Sequence, residues 1–435
     1  MNKIRVVGAG LAGSEAALYL ANSGIKVELV DIKPQKFTPA HRSVNFAELV
    51  CSNSLKSDDV YGNAAGLLKE ELRILGSSVM KVADATKVPA GGALAVNREE
   101  FSKCITDLIR NNENITVVSK ETDKIPDDLL TIIATGPLTT EKLAEELKNV
   151  AGSMSFYDAS APIVSADSID MESAFFGDRY GRGNGDHINC PMNKEQYDDF
   201  YDALISAEKT VLHDFEKSEV FEGCMPIEIM ALRGRDTLRF GPLKPVGLDD
   251  PKTGRWAYAT LQLRREDKFG TMYNMVGFQT NLKWAEQKRV FSMIPALKNA
   301  EFLRYGVMHR NSFINSPSAL NKDYSLKSKP NIFMAGQITG VEGYVESVAS
   351  GLLAAIYAER RINAKPPVYV SEKTVMGALT GYITTAIGNF QPMNANFGIL
   401  PPLSEMIRDK KQKKRLLAER SLREISRFKE ELTGE

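Results

Sequence analysis

Ile4-Arg5-Val6-Val7-Gly8-Ala9-Gly10-Leu11-Ala12-Gly13 reads as an apolar strand running straight into a glycine turn. Ser14 to Asn22 continues as a helix, and Val27-Glu28-Leu29-Val30 as a second strand that ends at Asp31. Each part has a mechanical task. Gly8 permits the tight turn, Gly10 lets backbone approach a pyrophosphate, and Gly13 lets the helix pack closely on the strand. The start of the helix offers unpaired N–H groups to phosphate. Asp31 follows Gly13 by 18 residues, a spacing at which a carboxylate accepts hydrogen bonds from ribose. Gly8, Ala9, Gly10, Leu11, Ala12, Gly13 and Asp31 are therefore the expected dinucleotide contacts, on a Rossmann-like α/β unit.

Two later segments favour FAD over NAD. Thr131-Ile132-Ile133-Ala134-Thr135-Gly136-Pro137 is an apolar strand ending in Ala-Thr-Gly, and Asn331-Ile332-Phe333-Met334-Ala335-Gly336-Gln337 is another that runs into a glycine turn. Ile338-Thr339-Gly340-Val341-Glu342-Gly343-Tyr344 follows, then a helical run from Val345 to Arg361. Flavoproteins of the two-dinucleotide-fold type carry such elements in this order, and the positive end of the last helix would stabilise a reduced, anionic flavin. Gly136, Gly336, Gln337 and Gly343 join the expected cofactor contacts. Between them the strand–helix alternation fades, and no second GxGxxG lies in a strand–helix setting. The expected organisation is an FAD-binding domain in two parts, 1–137 and 329–435, interrupted by an α+β insertion at 138–328 that handles substrate. NAD(P)H would visit the flavin without a nucleotide fold of its own.

Composition excludes several classes. With 435 residues, 43% hydrophobic and 25% charged, the chain has the make-up of an ordinary globular protein of two or three domains. Its apolar runs fall short of the ~20 residues that a membrane span needs, and residues 1–13 lack the pattern of a signal peptide. A cytoplasmic setting with reduced thiols is expected. Lys+Arg and Asp+Glu both number 55, so net charge selects no partner. Four cysteines without a CxxC pair suggest neither a disulfide framework nor a metal site.

Two of these cysteines stand out. Cys51 closes an apolar run, Phe46-Ala47-Glu48-Leu49-Val50-Cys51, before the turn formers Ser52-Asn53-Ser54, and Cys224 sits in Phe221-Glu222-Gly223-Cys224-Met225-Pro226. Thiols on such loops act as nucleophiles where they are exposed and deprotonated, although free cysteine is more often buried and inert. Cys104, within Phe101-Ser102-Lys103-Cys104-Ile105, reads as core, and Cys190 before Pro191 stays undecided.

Longer blocks carry a resemblance. They include Phe46 to Leu55, Val88-Pro89-Ala90-Gly91-Gly92-Ala93-Leu94-Ala95-Val96, Phe221 to Glu228 and Phe240-Gly241-Pro242-Leu243-Lys244-Pro245. Arg304-Tyr305-Gly306-Val307-Met308-His309-Arg310-Asn311, Gly336 to Ser347 and Asn389 to Gly398 extend the series. In these blocks, from residue 4 to about 400, the chain resembles the bacterial folate- and FAD-dependent tRNA (uracil-5-)-methyltransferases. Departures are slight. Asp31 stands where the family often has Glu, Asn97 precedes Arg98 where Asp-Arg is usual, and Leu243 replaces a common Met.

The resemblance implies methylation of C5 of the T-loop uridine, position 54 of tRNA. The carbon comes from 5,10-methylenetetrahydrofolate by way of reduced FAD, and NAD(P)H restores the reductant. Uracil C5 becomes nucleophilic only after a thiolate adds to C6. By resemblance Cys224 is that nucleophile and Cys51 the base that removes the C5 proton, a task that needs a thiol poised towards neutrality. The sequence does not identify the group that poises it, with His309 and Arg310 as candidates. Arg179, Arg182, Arg233, Arg235 and Arg239 are expected on the tRNA backbone, ahead of the basic tail from Arg408 to Lys429. Gln279, Trp284, Tyr344 and Asn394-Ala395-Asn396 are candidates for the folate or flavin pocket. The same residues would serve an enzyme acting on large-subunit ribosomal RNA. The further alternatives are a plain NAD(P)H-dependent flavin oxidoreductase and an RNA-binding flavoprotein without turnover.

Overall fold

β1 (Lys3–Val7) takes the centre of a parallel sheet because both of its edges are paired and both of its faces are covered. In this computed structural model, which describes residues 3–159, 161–181, 183–210, 225–266, 270–306, 308–386 and 390–434, five strands make up that sheet. Their order is Ile332–Met334, Thr131–Ile133, β1, β2 (Lys26–Asp31) and Ile115–Ser119. Ile4, Val6, Leu29, Ile132 and Phe333 are buried, as the apolar runs of a doubly covered sheet require. The chain leaves β1 towards β2 on one side and returns by Thr131–Ile133 on the other. That reversal opens a crevice at the carboxyl ends of the strands, where ligands of such sheets bind.

α1 (Leu11–Asn22) follows the glycine turn. Gly8 has a φ of +98°, and a Cβ there would lie 2.6 Å from the Ala134 carbonyl oxygen. A Cβ on Gly13 would fall 1.8 Å from Gly8 O, so only glycine lets this helix start so near the strand. The long helix Tyr344–Ile362 crosses α1 just as closely, with the Gly351 position 2.3 Å from Ala12 O by the same measure.

The segment between Ile163 and Arg304 builds a second sheet, antiparallel and six-stranded, with a separate core that includes Val164, Phe200, Leu261, Phe278 and Phe291. Its order is Phe175–Phe176, Ile188–Met192, Ala259–Arg265, Met272–Met275, Ile163–Ser165 and Phe302–Arg304. Ser153–Ala159 and Met308–Ile314 form an antiparallel ribbon packed on the helix Glu141–Ala151. The architecture is thus a Rossmann-like α/β fold carrying an α+β insertion. No helix among the described residues is long and apolar enough to cross a membrane.

Buried carboxylates fasten the helices. Glu15 on α1 accepts from Ser77 Oγ at 2.9 Å and from the Val79 N–H at 2.8 Å, closing the start of the helix Ser78–Ala85. Glu71, on the helix Ala64–Ile74, accepts from the N–H groups of Val375 and Met376 at 2.7 and 2.9 Å. It also accepts from Ser421 Oγ, so one side chain ties three helices together. Burial pushes the Glu71 carboxyl from 4.5 up to about 7, with Ser421 and the two N–H groups opposing. Between those values the folded chain holds a proton that the unfolded chain has released. The contribution of this group is therefore fully present below the lower value and is lost as pH rises through the upper one. Glu71→Gln should lose about 2 kcal/mol less stability than the parent between about pH 5 and about pH 8. Urea unfolding at both pH values checks this, and equal losses would contradict it.

Candidate active site

Glycine turn, second strand and long helix together line an elongated cleft that encloses about 1150 Å³ of space open to solvent. Gly8, Ala9, Gly10, Leu11, Ala12, Asp31 and Gly136 line it, and so do Gly336, which lies beside Ala12, and Gln337, Tyr344 and Ser347. Gly13 lies a layer behind, pressed on Gly8, and Gly343 is the residue that starts the long helix. Gly10 starts α1 with no side chain bonded to the helix end, and a Cβ there would meet no atom within 4 Å. Open space in front of free helical N–H groups suits a pyrophosphate.

Asp31 has a task that spacing alone does not reveal. Its Oδ2 accepts from the Ala9 N–H at 2.7 Å and its Oδ1 from the Lys33 N–H at 2.9 Å. The carboxylate clamps the glycine turn to β2, and each oxygen keeps acceptor capacity for ribose. Lys33 is buried on the cleft wall, and burial lowers its pKa against the pull of Asp31 and Glu48. The glycine turn, the ribose carboxylate and the lining supplied by the start of the long helix together fit FAD.

Cys51 lies beside Tyr344, which lines the cleft. The Cys51 N–H donates to Tyr344 Oη at 2.9 Å, and the Ser52 N–H to the same oxygen at 3.3 Å. Cys51 Sγ lies 2.9 Å from Tyr344 Oη. With two N–H groups pointing at the oxygen, the hydroxyl hydrogen is left for the sulfur. Burial pushes the Tyr344 hydroxyl well above its ordinary range and Cys51 adds to this, while Arg98 opposes. Tyr344 therefore stays protonated and stabilises a thiolate. The loop that carries Cys51 is itself held firmly. Ala47 adopts φ +49° and donates its N–H to Ala9 O at 2.9 Å, a strained non-glycine conformation of the kind that collects at functional sites.

Positive charge surrounds this thiol. Arg98 begins a helix capped by Asn97, which accepts from the Glu100 N–H at 3.2 Å, so Asn in place of Asp leaves the cap intact. Arg98 forks onto Glu266 at 2.5 and 3.1 Å and donates to Leu49 O at 2.9 Å. Arg264 donates to Asn53 Oδ1 at 3.1 Å and Ser52 Oγ at 2.6 Å. A thiolate at Cys51 would raise the pKa of the Arg98, Arg264 and Arg304 guanidiniums. His309 and Arg310, the candidates to poise Cys51, lie in the strand Met308–Ile314, and their side chains are outside what the structure describes.

Cys224 and Arg182 lie outside the described residues. The segment just after Cys224 is pinned. The Ile227 N–H donates to Gln279 O at 2.7 Å, and buried Glu228 accepts from Thr280 Oγ1 at 2.9 Å and the Asn281 N–H at 2.8 Å. Met225 and Arg233 line a surface groove with Phe240, which is 83% exposed. Other arginines expected on RNA already have protein partners. Arg235 pairs with Asp198 and Asp202 and covers the Tyr201 ring. Arg239 lies 3.6 Å over the Tyr258 ring and donates to Tyr258 O, and Arg179 donates to Val246 O and Gln262. The basic tail forms the helix Lys410–Thr433, whose Leu417, Ile425 and Phe428 are buried in the FAD-side core. Trp284 stacks on Tyr305 at 5.7 Å. Cys104, expected in the core, is only half-buried, because its helix turns that face towards the core margin. Cys190 is fully buried in a strand, and burial pushes its thiol far up, which makes it inert.

Tyr344→Phe removes the hydroxyl that donates to Cys51 Sγ, together with the oxygen that accepts from the Cys51 and Ser52 N–H groups. The pH profile of Cys51 alkylation, followed by mass spectrometry, should move up by about one unit. An unmoved profile would contradict the assignment of the hydroxyl proton to sulfur.

Comparison with known proteins agrees with this geometry. The family model for Glucose inhibited division protein A matches residues 3–366. A methylenetetrahydrofolate–tRNA-(uracil-5-)-methyltransferase TrmFO from Acetivibrio thermocellus is 56% identical over 428 residues, covering 98% of each chain. Proteins of the same name from Listeria monocytogenes and Staphylococcus aureus are 55% and 54% identical, covering 99% of each chain. In fold the chain is similar to Aquifex aeolicus GidA in two crystal forms, each with a TM-score of 0.72. Those likenesses cover 99% of this chain and 73% and 76% of the other, at 16% and 15% identity. The chain belongs to the glucose inhibited division protein A family and, within it, to the methylenetetrahydrofolate–tRNA-(uracil-5-)-methyltransferases.

Proposed function

We propose that the chain methylates C5 of the T-loop uridine of tRNA, position 54, with 5,10-methylenetetrahydrofolate as carbon donor and NAD(P)H as reductant. The observation that carries this reading is the Cys51–Tyr344 pair beside a cleft shaped for FAD, 2.9 Å from sulfur to oxygen. An oxidoreductase that only passes hydride to flavin has no use for a thiol so placed, whereas uracil chemistry needs one. Residues 1–137 and 329–435 serve the cofactor in this reading, and 138–328 the RNA. A cytoplasmic setting follows from the tRNA substrate.

Bound FAD supplies the redox chemistry and the passage of the one-carbon unit. The protein supplies the rest. Gly10 and the start of α1 hold the pyrophosphate, Asp31 holds the ribose, and the backbone of Gly136, Gly336, Gln337 and Gly343 approaches the cofactor. Cys224 adds to uracil C6 and leaves when the product forms. The residues that follow it are anchored, Ile227 on Gln279 and Glu228 on Asn281. Cys51 takes the C5 proton after carbon transfer. Tyr344, with its hydrogen directed at the sulfur, holds Cys51 as the thiolate that can receive it.

Purified FAD-loaded protein, unmodified tRNA transcript, NADPH and isotopically labelled methylenetetrahydrofolate should yield labelled 5-methyluridine at position 54, with S-adenosylmethionine inactive as donor. Cys224→Ala and Cys51→Ala should each reduce the yield at least ~100-fold, as loss of a covalent or proton-transferring group does. Label appearing on ribosomal RNA instead would contradict the tRNA assignment. Undiminished activity in Cys224→Ala would contradict the nucleophile assignment.

A further inference from the structure

Positive side chains crowd the start of the C-terminal helix, the end at which a helix least favours them. Arg408 precedes the cap residue Asp409, and Lys410, Lys411, Lys413, Lys414 and Arg415 follow at the start of the helix Lys410–Thr433. Its first turn holds no acid. A helix N-terminus carries partial positive charge, so each lysine there is unfavourable. Spacing adds to this. Lys410 neighbours Lys413 and Lys414, and Lys411 neighbours Lys414 and Arg415, at the separations where like charges on a helix repel. Asp409 is engaged as the cap and accepts from the Gln412 N–H at 2.6 Å. Lys414 donates to Gly62 O at 3.1 Å and lies 5.7 Å from the centre of the Phe397 ring. Arg415 pairs with Glu419 at 2.9 Å and lies over the Tyr61 ring. The side chains of Arg408, Lys410, Lys411 and Lys413 are exposed and make no hydrogen bond or ion pair among the described residues.

Contacts tie this patch to the reacting thiol. Phe397, beside Lys414, follows Ala395 by two residues, and the Ala395 N–H donates to Glu346 Oε1 at 3.0 Å. Glu346 stands in the first turn of the helix Tyr344–Ile362, whose first residue bonds Cys51. Leu417, Ile425 and Phe428 bury the inner face of the C-terminal helix in the core, so the patch is held in place on the protein. The insertion offers less, because Arg179, Arg235 and Arg239 are engaged by protein groups. We propose that Arg408, Lys410, Lys411 and Lys413 bind backbone phosphates of the tRNA, so that the RNA surface reaches onto the C-terminal helix of the flavin-side unit. This inference rests on the tRNA-methylation reading and deepens it. Phosphates are the complement that the patch lacks: they relieve the repulsion that the free helix carries, and they hold an RNA beside the thiol.

Binding of unmodified tRNA transcript to the FAD-loaded protein, measured across a range of KCl concentrations, tests this. The variant Lys410→Gln/Lys411→Gln/Lys413→Gln should bind ~10-fold or more weakly than the parent, and its slope of log affinity against log salt should be shallower by about two. The variant Lys410→Arg/Lys411→Arg/Lys413→Arg should keep parental affinity and slope. Flavin content should match the parent in both. Without RNA and at low salt, the glutamine variant should melt about 2 °C above the parent, since its helix start is relieved of charge. Parental affinity in the glutamine variant would overturn the proposal. So would weaker binding with an unchanged salt slope, or weaker binding accompanied by a lowered melting midpoint, which would make the loss an effect of folding. A parent that binds tRNA with the expected salt slope but does not methylate it would overturn the methylation reading and leave the patch standing. A parent that does not bind tRNA would overturn both.

Discussion

Close approach between two helices sets the geometry of everything else. α1 and the helix Tyr344–Ile362 touch where Gly351 passes Ala12 O, a contact that a single Cβ at 2.3 Å would force apart. Their starting residues, Gly10 and Gly343, have no side chain bonded to the helix end. The start of α1 is open for a ligand, whereas the Glu346 carboxylate, paired with Lys56, lies against Gly343 at the start of the other helix. Because the interface is backbone against backbone, it has little freedom to slide. The same helix then presents Tyr344 to Cys51. A change at the crossing would move the phosphate site and the thiol together.

The surroundings of Cys51 are a seam between two cores. Asn53 Nδ2 donates to Arg265 O at 2.7 Å, Arg98 forks onto Glu266, and Arg264 reaches Ser52 Oγ, so each bond joins the Cys51 side to the antiparallel sheet. Buried ion pairs of this kind add little net stability, since desolvation offsets most of the attraction. Breaking one partner is costly, and the seam therefore fixes one placement of the parallel-sheet unit relative to the antiparallel one. That placement brings Arg264 and Glu266 of the insertion against the loop that carries Cys51 and the helix that starts at Arg98.

The parts legible in the sequence were local. Strand, glycine turn, helix and Asp31 all fall within 31 residues, and their periodicity and glycine spacing carry direct steric meaning. The Thr131 and Asn331 strands were readable for the same reason, and both pair in the sheet that β1 anchors. What the sequence hid was non-local. Tyr344 and Cys51 are 293 positions apart, and nothing in either segment alone specifies their bond. Arg98, Arg264 and Arg304 come from three separate elements. Arg235 and Arg239 looked like free cations in one dimension. Folding supplies Asp198, Asp202 and two tyrosine rings as their partners. Glu15 and Glu71 would pass for surface charges on helical patterns, yet they are buried helix caps.

Cys51 as the base that removes the C5 proton is the claim on which the chemical account turns. Its most direct measurement is release of tritium to water from tRNA labelled at C5 of the T-loop uridine. The parent should release about one tritium per methyl group formed, and Cys51→Ala should release almost none while retaining bound flavin and RNA affinity. Parental release by Cys51→Ala would assign the proton to another group and contradict the account.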